Sequence, residues 1–231
     1  ELFVRAGKHQ STIRTLDVEE FPIIPSIKGD EPFTEVEASV FCRGLGQVVG
    51  MVGLSQVKPE ISGVLFVFER KRVRVAATDS FRLAERKFTL EKEQEEEKSF
   101  ILPQKTVKEL IAIFGEKEGK VKVYFSPTQI VFDYTPTDEP TQGKVQIVSR
   151  IIDGEYPRYE EVIPTTHKTK AILARGELLD HVKAASIFAG KTNEIRLLAE
   201  PEKNGITFSS KDAGVGENQS FLEGDVEGEG V

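Results

Sequence analysis

The sequence contains one cysteine, one methionine and no tryptophan among its 231 residues. A lone cysteine cannot form an internal disulfide, so Cys42 fits a protein of the reducing cytoplasm. Its position beside Phe41 favours a small core residue over a reactive thiol. The cysteine content therefore gives no sign of a disulfide framework or a redox centre.

Long apolar segments are also absent. No run approaches the roughly 20 apolar residues that a membrane-spanning helix requires. The first ten residues, ELFVRAGKHQ, lack the apolar region of a secretory signal peptide. Apolar residues still make up 39% of the chain, which is enough for a packed core. We therefore expect a cytoplasmic protein with no membrane partner.

Residues that carry catalytic chemistry are scarce. The three histidines, His9, His167 and His181, are far apart and lie in polar contexts. No Cys/His pair has metal-ligand spacing, and no glycine-rich phosphate loop appears. A triad of Ser186, His181 and a distant Asp would require only a coincidence of common residues. We expect no enzyme activity, no cofactor and no metal.

The net charge of −7 comes from two acidic segments. Residues 91–98, EKEQEEEK, carry −3, and residues 217–231, ENQSFLEGDVEGEGV, carry −5. The rest of the chain carries +1, so the total charge does not exclude a basic face. The two segments themselves fit a solvated loop and an exposed edge.

One arrangement, an amphipathic helix followed by two alternating strands, occurs three times. A helix with one hairpin buries its apolar face poorly, but two such units side by side can share a core. The sequence therefore predicts an α+β fold of repeated helix plus β-hairpin units. The apolar stripes of the three helices are Phe41, Leu45, Val48 and Val52, then Val107, Leu110, Ile111 and Phe114, then Leu178, Val182, Ala185 and Ala189.

The repeats divide the chain into three parts. Units one and two form one predicted domain, residues 28–164, and unit three begins another of the same kind at 165–231. Residues 1–27 are interpreted as the end of a preceding domain and a linker. The proline-containing segments near 19–32 and 155–168 are the predicted connections. On this interpretation the chain is a fragment of a longer repeat protein.

Four short motifs resemble one known family. The stretch ATDSFRLA at 77–84 resembles the ATD-x-x-RLA signature of bacterial sliding clamps, the beta subunits of the replicative DNA polymerase. EEFPIIP at 19–25, VKPEISGV at 57–64 and DGEYPRYEEVIP at 153–164 resemble further segments of that family, in the same order and spacing. The resemblance covers essentially the whole chain.

The resemblance implies a DNA-clamp fold in which sheets form the outside and paired helices line the inner face. It implies a ring of two head-to-tail chains around duplex DNA, a homodimer when full length. Such a ring is a processivity factor without catalytic activity. It binds duplex DNA without sequence specificity. Through short linear peptides it also binds polymerase subunits, the clamp loader and repair proteins. The alternative is a peptide-binding adaptor of the same fold with no DNA role.

The resemblance also implies a peptide-binding pocket, in which an apolar anchor site lies beside a positive charge. Several positions depart from the family pattern: Phe81 replaces a common His, Tyr156 and Arg158 replace Phe and Asp, Glu161 replaces a base, and Glu60 replaces an apolar residue. These departures alter the rim charge of the predicted pocket. The residues assigned to the pocket are Ile61, Thr78, Ser80, Phe81, Arg82, Leu83, Pro157, Glu161 and Val162.

Basic residues on the helices form the second predicted site. By pattern alone they fit an ordinary solvated helix face. The clamp resemblance assigns them instead to weak, sliding contacts with DNA phosphates. Glu109 and Asp180 dilute the positive charge on these faces. The residues assigned to DNA are Arg43, Lys58, Lys105, Lys108 and Lys183.

Overall fold

The computed structural model describes residues 1–17, 32–55, 57–136 and 143–231. The chain divides into two compact units, Glu1–Tyr159 and Glu160–Val231. The predicted connection EEFPIIP at 19–25 lies outside the described residues. No helix in the described ranges is long and apolar enough to cross a membrane.

The first unit opens with a hairpin of strands β1 (Leu2–Ala6) and β2 (His9–Ile13), which pair only with each other among the described strands. The order β-α-β-β-β then occurs twice. The first copy contains β3 (Phe33–Glu37), α1 (Ala38–Val48), β4 (Gly63–Phe68), β5 (Arg72–Thr78) and β6 (Leu83–Thr89). The second contains β7 (Lys98–Pro103), α2 (Gln104–Phe114), β8 (Lys120–Phe125), β9 (Gln129–Tyr134) and β10 (Val145–Arg150).

The two copies exchange their first strands. One four-stranded antiparallel sheet has the order β6-β5-β4-β7, and the other has the order β10-β9-β8-β3. Each sheet therefore contains three strands of one copy and the leading strand of the other. This reciprocal pairing relates the copies by an approximate internal twofold axis.

Both helices pack against the two sheets in one shared core. Phe41 of α1 is fully buried, and its ring lies about 6 Å from the rings of Phe66 and Phe132, which belong to different sheets. The thiol of Cys42 lies 3.5 Å from the carbonyl oxygen of Leu110 on α2. Burial raises the pKa of Cys42 to about 11, so it is an inert core residue, as expected.

The second unit contains one further copy of the β-α-β-β-β order. Its core is centred on Phe208 and Leu222, with the half-buried Leu178 and Val182 of its helix packed against them. Strands β12, β13 and β14 form one sheet, and β11 pairs with β15. The elements are β11 (Thr169–Ile172), α3 (Arg175–Ser186), β12 (Arg196–Glu200), β13 (Gly205–Asp212), β14 (Gly216–Glu223) and β15 (Asp225–Gly228).

The predicted α+β repeat of helix and hairpin is confirmed, and the repeat is larger than expected. Each copy carries a leading strand and a third strand that the sequence pattern did not reveal. The acidic segment 91–98 is also more than a solvated loop. Gln94 accepts a hydrogen bond from Thr34 on β3 and donates its N–H to the carbonyl of Arg70, so the segment joins the two sheets.

Candidate functional site

A tight turn, residues 79–82, links β5 to β6. The carboxylate of Asp79 accepts the N–H groups of Phe81 at 3.0 Å and Arg82 at 2.7 Å. The N–H of Asp79 donates back to the carbonyl of Arg82. Ser80 adopts a φ of 74°, a left-handed conformation that costs a non-glycine residue about 1 kcal/mol. Asp79 therefore holds the backbone in a shape that it would not adopt freely.

Arg82 is held by the same aspartate. Its Nε and Nη2 both donate to Oδ2 of Asp79, at 2.9 and 2.8 Å. The backbone N–H of Arg82, its guanidinium and the N–H of Phe81 lower the pKa of Asp79 to about 2. The ring of Phe81 is 96% exposed beside this pair. The turn thus presents an open aromatic ring next to a guanidinium in a fixed orientation.

Thr78 lies beneath the turn. Its hydroxyl donates to the carbonyl of Arg82 at 2.7 Å and accepts the N–H of Ser80 at 3.1 Å. Its own N–H donates to the hydroxyl of Tyr156 at 3.0 Å. Because Thr78 is buried, it supports the turn from below and offers little surface to a ligand.

Leu83 begins β6 directly after the turn. It is half-buried and packs on an apolar cluster of Leu65, Ala76, Ile101, Tyr156 and Tyr159. This cluster is separate from the main core, so Leu83 is not an ordinary core residue of the two-helix layer. Its partial exposure leaves an apolar surface beside Phe81.

Ile61 lies near the base of the turn. It is buried, and its Cδ1 lies about 3.1 Å from the point that a Cβ on Gly53 would occupy; Asp79 Cα lies 3.2 Å from the same point. Ile61 therefore packs close to Asp79, at the base of the turn.

The remaining predicted pocket residues lie on the segment that follows β10. Pro157 is exposed and stands between the two buried tyrosines, Tyr156 and Tyr159. Glu161 and Val162 are exposed and belong to the second unit. The structure thus brings Tyr156, and with it Pro157, to the 79–82 turn of the first unit.

Two residues of this region were not assigned to the pocket by the sequence. Tyr156 and Tyr159 stack edge to face, and their hydroxyls bind β5 and β6. The sequence signal that could have indicated them is their place in the motif DGEYPRYEEVIP, which contains two tyrosines. The partner atoms lie more than 70 residues away, so the pattern could not show what they bind.

The predicted DNA-facing residues of the first unit, Arg43, Lys105 and Lys108, are exposed on α1 and α2, away from the buried stripes. Lys58 is exposed in the loop before β4, and Lys183 is exposed on α3 of the second unit. None of the five forms a salt bridge with another described residue. Their charges are therefore available to a ligand that approaches from solvent. The acidic residues Glu109 and Asp180 lie on the same helices, α2 and α3.

The arrangement around His181 does not support a hydrolase triad. Its Nδ1 lies 2.8 Å from the hydroxyl of Ser220, while the hydroxyl of Ser186 donates to the carbonyl of Lys183. Among the described residues, no group of three or more His, Cys, Asp or Glu could hold a metal ion.

Comparison with known proteins decides the family. The family model for the DNA polymerase III beta subunit, central domain, matches residues 35–158, which lie within the first unit. The chain belongs to the DNA polymerase III beta subunit family. The fold is accordingly the DNA-clamp fold.

Relatives with this fold match almost the entire chain. The beta sliding clamp of Bacillus subtilis is 29% identical over 229 residues, covering 98% of this chain and 58% of the relative. A crystal structure of the Bacillus subtilis clamp superposes with a TM-score of 0.87 at 27% identity, covering 99% of this chain and 58% of that one. The Thermotoga maritima beta subunit gives a TM-score of 0.80 at 28% identity, with coverage of 99% and 59%. The chain therefore spans a little more than half the length of these relatives.

Proposed function

We propose that this chain works as part of a sliding clamp, a cytoplasmic processivity factor that encircles duplex DNA and tethers polymerase and repair proteins. The observation that carries the proposal is the match of residues 35–158 to the clamp family. The proposal is also supported by the packing of helices α1 and α2 in one core with two four-stranded sheets. Residues 28–164 are the central clamp domain, 165–231 the first half of the third, and 1–27 the end of the first with its linker.

The DNA interface in this proposal is the exposed helix surface. Arg43, Lys105 and Lys108 supply it in the first unit, Lys58 adds to it from a loop, and Lys183 supplies it in the second unit. Sliding requires attraction to phosphates without base recognition, and scattered cations with flexible stems satisfy that requirement. Ring closure, in a full-length homodimer, keeps the weakly bound clamp on the DNA.

The peptide site in this proposal is the surface around the 79–82 turn. Leu83 provides an apolar contact above the buried Ile61, Ser80 and Phe81 form the adjacent groove above Thr78, and Pro157 extends it. Glu161 and Val162, which belong to the second unit, stay predicted members of the site. Burial of one Leu or Phe of a partner peptide there contributes about 2 kcal/mol. Arg82, already oriented by Asp79, offers its remaining N–H groups to a peptide carbonyl or carboxylate.

The DNA interface can be tested by charge reversal. In the full-length protein, changing Lys105, Lys108 and Lys183 together to Glu should reduce loading onto circular DNA and make the remaining loading less dependent on salt, because fewer phosphates are neutralised. The control is the same change at Lys8, Lys170 and Lys191, which are exposed outside the three helices. Equal loss of loading in both triple variants would show that only net charge matters and would contradict the helix interface.

The peptide site can be tested at Leu83. We expect Leu83→Ala to weaken partner-peptide binding about tenfold or more, since 1.4 kcal/mol corresponds to a factor of ten, while the melting temperature changes little. Val67→Ala is the matched control, because Val67 is a half-buried member of the same cluster on β4. A large fall in melting temperature with unchanged binding would identify Leu83 as purely structural.

If the unmodified full-length protein binds the partner peptide but does not load onto DNA, the result would instead favour the alternative of a peptide-binding adaptor with no DNA role.

A further inference from the structure

The end of β5 extends beyond its partner strand. The pairing of β4 with β5 runs from Phe68↔Val73 to Leu65↔Ala76 and then stops. Thr78 therefore has no partner in β4 for its backbone groups. A buried N–H that lacks an acceptor is strongly unfavourable, so another group must supply one.

Two segments outside the sheet supply these partners. The carbonyl of Thr78 accepts the N–H of Gly53 at 3.3 Å. The N–H of Thr78 donates to the hydroxyl oxygen of Tyr156 at 3.0 Å, across 78 positions of sequence. Tyr156 is only 8% exposed, so water cannot easily replace its hydroxyl.

The hydrogen bonds of the turn converge on Thr78 and Asp79. The Thr78 hydroxyl binds both the N–H of Ser80 and the carbonyl of Arg82, and Asp79 binds the N–H groups of Phe81 and Arg82. A shift of the Thr78 backbone would therefore move the whole turn. Ser80 has a left-handed φ of 74° within this turn, and the surrounding hydrogen bonds offset the cost of that conformation.

We infer that Tyr156 is a positioning residue of the peptide site: its buried hydroxyl fixes the end of β5 and thereby sets the shape of the 79–82 turn that a partner peptide meets. Tyr156 also immediately precedes Pro157, so the same bond holds two walls of the site together. The inference rests on the proposed peptide-binding function for its role, but the bond itself can be tested separately.

Tyr159 provides a close chemical control. It lies on the same segment and is 3% exposed, and its ring packs against Tyr156. Its hydroxyl donates to Glu85 at 2.6 Å and accepts from Arg74 at 3.0 Å, so its bonds are made to side chains farther along β5 and β6. Removing either hydroxyl deletes one oxygen, and the Tyr156 hydroxyl is the one that accepts the N–H of Thr78 at the base of the turn.

The experiment compares Tyr156→Phe with Tyr159→Phe in the full chain. Amide hydrogen exchange at Thr78, Ser80, Phe81 and Arg82 is measured by NMR. Tyr156→Phe should accelerate exchange at these amides about tenfold relative to amides elsewhere in the first unit. Tyr159→Phe should leave them unchanged. Unchanged exchange in Tyr156→Phe, or equal acceleration in both variants, would overturn the inference.

A binding measurement then connects the bond to function. The probe is griselimycin, the compound bound in a solved structure of the Pseudomonas aeruginosa clamp. Tyr156→Phe should weaken its binding roughly three- to tenfold and Tyr159→Phe should not. Faster exchange with unchanged affinity would reduce Tyr156 to a structural role. Failure of the unmodified chain to bind the probe would count against the proposed site, while the exchange comparison would still decide whether Tyr156 holds the turn.

Discussion

The two units are built from the same β-α-β-β-β order, with two copies in the first unit and one in the second, but they bury their helices to different degrees. In the first unit, Phe41 and Leu45 on α1 and Val107 and Leu110 on α2 are completely buried. In the second unit, α3 buries only Ala185 fully. The difference shows that one copy of the repeat does not cover its own apolar helix face.

Strand exchange explains how the first unit achieves its burial. Because β3 and β7 each join the sheet of the other copy, the two helices are brought together in one core. The second unit has no such exchange among its strands, and Leu179, Leu197 and Leu198 remain at least 43% exposed. Stability in this fold therefore comes from pairing between copies more than from the helix and hairpin alone.

The largest expected effect comes from the same substitution made in both units. Leu110→Ala on α2 should cost about 2–5 kcal/mol, because a fully buried leucine leaves a cavity. Leu179→Ala on α3 should cost less than about 1 kcal/mol, since that side chain is 43% exposed. Unfolding free energies are measured by hydrogen exchange with mass spectrometry, which reports on each unit separately. Similar costs at both positions would show that α3 is covered in solution and would remove the contrast.

An intermediate effect tests the exchanged strand directly. A Cβ on Gly63 would lie 2.4 Å from the carbonyl oxygen of Leu102 and 2.6 Å from Ile101, at the junction of β4 with β7. Gly63→Ala should therefore destabilise the first unit by about 1–3 kcal/mol, because the paired backbones must separate.

Gly46 on α1 supplies the opposite case for that test. A Cβ there would meet nothing within 4 Å, so Gly46→Ala should stabilise the same unit by about 0.5–1 kcal/mol. Chemical denaturation followed by tyrosine fluorescence is suitable, because all four tyrosines lie in the first unit. Equal and small effects from the two alanines would mean that the β4–β7 junction tolerates a displacement.

Local patterns in the sequence predicted the parts of the fold that depend on local periodicity. Phe41, Leu45 and Val48 of the first stripe and Val107, Leu110 and Phe114 of the second are buried as expected. Strands β6 and β10 escaped detection because edge strands alternate weakly; β6 carries the polar residues Glu85, Arg86 and Lys87. The exchange of β3 and β7 joins strands that are distant in the chain, and local periodicity carries no such information.

In the candidate site, too, local motifs were predictable from the sequence and long-range contacts were not. The sequence identified the turn and the segments that flank it, since each carries a recognisable motif. It did not reveal that Ile61 packs close to Asp79, that Arg82 is held by Asp79, or that Tyr156 supports Thr78. These are contacts between side chains from separate segments, and their partners are chosen by the folded geometry. Whether the nine predicted residues form one pocket remains a prediction.

The smallest expected effect concerns a turn that both units share. At the end of β13, Asp212 accepts the N–H groups of Gly214 and Val215, just as Asp79 accepts those of Phe81 and Arg82 at the end of β5. Only the first of these two turns places an arginine on the carboxylate and a non-glycine residue at positive φ. The first turn is therefore the more dependent on charge.

This dependence gives Asp79 a specific response to pH. Its pKa is lowered from 3.8 to about 2 by the N–H and guanidinium of Arg82 and by the N–H of Phe81. A depressed pKa in the folded state means that the ionised carboxylate stabilises the fold above the unfolded pKa, and that this contribution is lost as the pH falls from about 4 to about 2. A carboxyl ¹³C titration by NMR should give a midpoint near pH 2 for Asp79.

Arg82→Ala should raise that midpoint towards the ordinary value, because it removes the guanidinium but keeps both backbone donors. Arg158→Ala, an exposed arginine outside the turn, should leave the midpoint unchanged. An Asp79 midpoint that does not respond to Arg82→Ala would show that the backbone N–H groups alone hold the carboxylate, and the first turn would then be equivalent to the turn at Asp212.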